Sequence, residues 1–158
     1  MESNRVEREF GGEQELQEKQ RKNLTKLQEA ISDLFKSLYG NATEDSIKGI
    51  TSKILNEQRR QPVNESLIDG YKAELMGAYI PHRNKLLTLV FDGLPPKFLS
   101  DLNKEGIILK NLPDDMMDSI ANLMRQPLNN DTGKNAFQLA QWIEKIQKIQ
   151  MVIKKHLQ

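Results

Sequence analysis

Apolar residues recur at steps of three and four along most of this chain. Leu24, Leu27, Ile31, Leu34 and Leu38 form one such series, widened by Phe35. They predict a helix from about Glu13 to Tyr39 that lays a narrow seam along a neighbour. Upstream, Gln17 and Gln20 hold the seam positions, so the first turns are expected to project into solvent. Residues 1–12 are polar and end in Gly11-Gly12; they are expected to be a disordered tail ahead of a helical domain over residues 13–158.

Beyond the turn residues Gly40-Asn41, Thr43 is the expected cap of a second helix built on Ile47, Ile50, Ile54 and Leu55. Arg59 and Arg60 close it before Gln61-Pro62. A third helix is expected from Asn64 to about Tyr79, with Val63 and Ile68 as a hydrophobic staple. Pro81 suits the first position of a fourth, ending at Asp92-Gly93. Residues 87–91 could instead be a strand paired with 107–109. The spacing of Leu86, Leu89, Val90 and Gly93 favours helix and places this segment in the core. Pro96 opens a short helix stopped at Gly106, and Pro113 opens another carrying Met116, Met117, Ile120, Leu123 and Met124. After Gln126-Pro127 and the turn-rich residues 128–133, a last helix is expected from about Gly133 to the C-terminus. The fold class that follows is all-α: a compact single-domain bundle of about seven helices, with long N- and C-terminal helices.

The last helix is unusual in width. Leu139, Trp142, Ile143, Ile146, Ile149, Val152, Ile153 and Leu157 spread over an arc of roughly 180°, against the ~100° of a helix that rests on one surface. Such a helix either has neighbours on two sides or offers an edge, Ile143 or Val152, to a partner.

Charge changes the picture locally. The 158 residues carry a net charge of +1, so the chain as a whole is no polyanion binder. Residues 134–158, however, hold five lysines against one glutamate, and residues 101–118 hold five acids against two lysines. Lys145, Lys148 and Lys155 lie on the solvent side of the last helix. With Arg59 and Arg60 they are a candidate basic face for phosphate or an acidic partner.

Catalytic patterns are missing from the sequence. The two histidines, His82 and His156, have no carboxylate at helical spacing, and there is no cysteine. Asp114, Asp115 and Asp118 resemble a cation cluster, but the first two suit the positive end of a helix dipole equally well. No phosphate loop, hydrolase elbow or CxxC pair occurs, so neither cofactor nor metal is expected and the chain is read as no enzyme. No apolar run approaches a membrane span, and MESNRVEREFGGE lacks the core of a cleaved signal peptide, so a cytoplasmic location is expected. Secretion by a route without such a peptide remains compatible.

Residues 112–124, LPDDMMDSIANLM, resemble the Leu-Pro-acidic opening helix of an F-box, with Trp142 about where that family has its tryptophan. The resemblance implies docking onto the adaptor subunit of a ubiquitin ligase. The Asn-Asn-Asp-Thr-Gly loop departs from the family's helix order, and Leu-Pro with two acids is an ordinary helix start, so the chain is not assigned to it.

The reading that results is a non-enzymatic protein–protein interaction module: an adaptor, regulator, assembly factor or delivered effector. Its partner is another protein or a second copy of the chain. The alternative is a small nucleic-acid-binding regulator using the basic face of the last helix.

Overall fold

Helix α1, Glu2–Tyr39, is the longest element and the spine of the molecule. The computed structural model describes residues 2–40, 43–125 and 139–158, with side chains for 12–40, 43–122 and 139–158. Five further helices follow among these residues, with no strand: α2 Ile47–Gln58, α3 Glu65–Asp92, α4 Pro96–Lys104, α5 Leu112–Arg125 and α6 Leu139–Leu157. The all-helical bundle expected from the periodicity is therefore observed.

The α1 seam is the core of this bundle. Leu27, Ile31, Leu34 and Leu38 are completely buried and Leu24 nearly so. α6 lies along α1, while α2 and α5 pack on α3, and α4 packs on α6. The backbone of α1 is helical from Glu2, ahead of the Glu13 start expected from the seam. Gly12 to Lys19 are exposed, and burial begins only at Asn23 and Leu24.

Three local expectations need correction. Thr43 does not cap α2. Ser46 does: its Oγ accepts from the Gly49 N–H at 2.9 Å, so the helix begins three residues later than expected. Second, Pro81 starts no helix but lies inside α3. Ile68, Leu75, Tyr79, Leu86 and Leu89 are buried in one continuous phase across it. Pro81 and Gly77, whose carbonyl loses its helical partner, both face solvent, so water can satisfy that group. Third, residues 87–91 are helical, as favoured, but the segment is not wholly core, because Phe91 is 91% exposed.

Other signals hold. Asn64 caps α3 by accepting from the Leu67 N–H, and Pro96 opens α4. The stop at Gly106 has φ +77°, with the Ile107 N–H donating to the Leu102 carbonyl and the Gly106 N–H to that of Asn103. These paired bonds complete a left-handed helix end that glycine adopts without a Cβ penalty. The expectations for Gln126-Pro127, the 128–133 loop, the start of the last helix near Gly133, and the side chains of Leu123 and Met124 lie outside the described residues.

Candidate functional site: the groove between α4 and α6

Two helices meet here, both with more lysine than carboxylate: α4 carries Lys97 and Lys104 against Asp101, and α6 carries Lys145, Lys148, Lys154 and Lys155 against Glu144. α4 points Phe98 and Leu102 inward, one helical turn apart, which turns Asp101 and Lys104 outward. α6 buries Trp142, Ile146, Ile149 and Ile153, in steps of four, three and four. That register brings Lys148, Met151, Val152 and Lys155 onto a neighbouring face, opposite Asp101, Lys104 and Glu105 of the α4 end. Between the two walls lies an open groove of about 310 Å³.

An apolar strip forms its floor. Met151 is 73% exposed, and Val152 beside it is half-buried against the core. The rim is ionic. Asp101 is the most heavily engaged group: its Oδ2 accepts from His156 Nε2 at 2.7 Å, and its Oδ1 lies 3.7 Å from Lys104 Nζ. The His156 bond, chief among the causes, holds the Asp101 carboxyl below its ordinary value of 3.8, assisted by Lys155 and Lys104 against partial burial. The His156 ring also stands edge-on to Phe98, with centroids 5.7 Å apart. Lys148 faces Glu144 at 3.9 Å on its own helix.

The sequence-predicted residues divide among four places. Val152, Lys148 and Lys155 come together in this groove. Lys145 turns aside, its ammonium 4.7 Å from the Trp142 ring centroid, and lines a smaller recess with Ile108 and Asp115. Ile143 is half-buried against the core. Arg59 and Arg60 end α2 at the turn toward α3, where Arg60 pairs with Glu57 at 3.5 Å. The helix-edge residue Val152 and two of the lysines thus share a site, and Arg60 lines another part of the surface.

Sequence reasoning missed Met151 and the whole α4 wall. Met151 was recoverable, since it follows Lys148 by three positions and precedes Val152 directly. Asp101, Lys104 and Glu105 carried no such signal, because their neighbours come from a helix about fifty residues away. The same holds for the Asp101 partner of His156.

Elsewhere, the acidic segment is met by α3. Arg83 donates through Nη2 and Nε to Asp114 Oδ1, at 2.9 and 3.0 Å. Among the described residues no group of three or more His, Cys, Asp or Glu is placed to hold a metal ion. Nor is any of their helices long and apolar enough to cross a membrane. Burial pushes the Tyr79 hydroxyl well above its ordinary range while it donates to the Pro113 carbonyl. Burial likewise lowers His82, with Lys85 adding to the effect and Asp33 opposing it. Tyr79 is a completely buried structural tie between α3 and α5.

No family model matches the chain, and no curated protein or solved structure is found to be similar to it.

Proposed function

We propose that this protein is a non-enzymatic protein–protein interaction module, cytoplasmic, that docks a partner in the α4–α6 groove. The observation that supports this reading is Met151: a large apolar side chain, mostly in water, between two lysines and beside the half-buried edge of a core helix. An apolar floor with a polar rim is the usual anatomy of a docking surface, and a thioether adapts to varied partner shapes.

The nucleic-acid alternative draws less support. Asp101, Glu105 and Glu144 stand among Lys104, Lys148 and Lys155, so a phosphate backbone would meet carboxylates as well as ammonium groups. Among the described residues no aromatic side chain lines the groove for base stacking.

Site-specific photocrosslinking tests the reading. A photoreactive residue at Met151 should yield adducts in cells that are sensitive to protease and resistant to nuclease. The same residue at Ala73, exposed on α3, should not give them. Nuclease-sensitive adducts would transfer the site to the alternative, and absence of any adduct at Met151 would remove the docking proposal.

A further inference from the structure

We infer that the groove takes an acidic amphipathic peptide segment of another protein, an inference that rests on the docking reading and specifies its partner. The walls carry three lysines, Lys104, Lys148 and Lys155, against two carboxylates, Asp101 and Glu105. One of those carboxylates is already occupied, since Asp101 is bonded to His156 and approached by Lys104. Among the described residues Lys148 has only the exposed Glu144 on its own helix, a contact of the kind that contributes little and yields to a competitor. The ammonium groups open to a ligand are therefore Lys148 and Lys155 on α6, while Glu105 leaves a carboxylate on the α4 wall, so the site suits separate carboxylates aimed at α6 rather than a continuous anion.

Lys148 and Lys155 are seven positions apart, roughly two helical turns or ~10 Å along the axis, with Met151 and Val152 between them. A ligand matching this strip presents one or two apolar side chains to Met151 and Val152. It places a carboxylate toward each lysine, two turns apart on its own helix. A short helix with Asp or Glu flanking Leu, Ile or Phe has this pattern.

A second copy of the chain is a poorer match. Its own acidic helix, α5, carries the residue types required, but Leu112, Met116 and Ile120 are at most 4% exposed and face the core of their own bundle. Docking α5 into another copy's groove would require pulling it out of that core.

The test uses the full chain and a displayed library of helix-forming peptides of ~15 residues, about four turns. Binders are selected on the wild type and measured in solution against Met151→Glu and against the Lys148→Ala/Lys155→Ala double variant. Those lysines are surface groups, so the double variant retains the fold and remains informative if Met151→Glu does not. Selected peptides should be enriched in Asp and Glu around apolar residues. They should weaken about tenfold on the double variant at low salt and lose that difference at high salt.

Binders that depend on Met151 but are neutral or basic would overturn the acidic class and leave the docking reading standing. Binders indifferent to both variants would overturn the two together. Self-association of the wild type that Met151→Glu abolishes would reassign the groove to a second copy. Duplex DNA or single-stranded RNA binding lost in the double variant would overturn the peptide proposal in favour of nucleic acid.

Discussion

The Nε2–H of His156 donates to Asp101 Oδ2 at 2.7 Å, joining residues 55 positions apart and tying the last turn of α6 to α4. Asp101 lines the α4–α6 groove, whereas His156 lines a second and larger one of about 830 Å³ against α1 and the Pro95-Pro96 corner. The bond is the post between two open faces.

Its effect on stability has a definite sign. The Asp101 carboxyl is lowered in the folded chain, so its contribution is present above the ordinary carboxylate value of 3.8 and is lost as pH falls through the folded value. Replacing it by Asp101→Asn should lower the melting temperature at neutral pH, and the two proteins should converge as pH is taken from about 5 toward 2. Melts showing a constant gap over that range would mean the carboxylate charge contributes nothing. In parallel, carboxyl carbon NMR of His156→Ala should show Asp101 titrating at higher pH than in the wild type.

Asn23 ties α1 to the end of α3 in a comparable way. It is 4% exposed, and its side-chain amide donates to the Gly93 carbonyl at 2.7 Å. Gly93 has φ +105°, a region that residues with a Cβ rarely adopt. Asn23→Leu should cost about 1–3 kcal/mol by leaving that carbonyl without its partner. Gly93→Ala should cost a similar ~1–3 kcal/mol through backbone strain. Chemical denaturation of both variants measures this, and a loss well under that range would place the carbonyl in contact with water instead.

Where sequence and structure agree, the deciding signal is local. The α1 seam, the start and stop of α4, and the cap at Asn64 each depend on residues within a turn or two. The departures come from tertiary context. Pro81 carries a strong start signal, yet the buried stripe from Ile68 to Leu89 stays in phase through it, and packing along the whole stripe outweighs one lost hydrogen bond on the wet side. Ser46 displaces Thr43 as the cap of α2 because its hydroxyl can serve both the Gly49 N–H and the Thr43 backbone, with its oxygen accepting from the Thr43 N–H and its O–H donating to the Thr43 carbonyl. Half of the candidate site, Lys148, Val152 and Lys155, was legible as a helix face. The other half was not, since no rule of spacing states that α4 lies across from α6.

The arc of α6 makes a separable prediction. Ile146 and Ile149 at its centre are completely buried, whereas Ile143 and Val152 at its edges are only half-buried. Ile146→Ala and Ile149→Ala should each cost about 2–5 kcal/mol. Val152→Glu should shift the melting temperature by only about 2–4 °C, because its carboxylate can reach water and the Lys148 and Lys155 ammonium groups. Thermal melts decide this directly. If Val152→Glu unfolds the protein while Ile146→Ala is mild, the groove floor is core and the docking proposal loses its edge residue.

The N-terminal part of α1 supplies the last test. The helix continues to Glu2, but Gly12 to Lys19 are exposed and Leu16 is 54% exposed, so these turns contribute little to the bundle's apolar contacts. A helical segment without an apolar seam gains little from propensity alone in water. Deletion of residues 1–15 should therefore leave the melting temperature within about 2 °C of the wild type, less than the shift of a ~1 kcal/mol loss in a chain of this size. The cut spares Arg21, whose Nη2 donates to the Leu157 carbonyl at 3.5 Å at the end of α6. It also spares Asn23 and the first buried leucine, Leu24. A loss of many degrees would show that residues 1–15 pack on the bundle, and it would remove them as a projecting arm. Unchanged stability with weaker crosslinking at Met151 would instead mean that the arm and the groove engage the same partner.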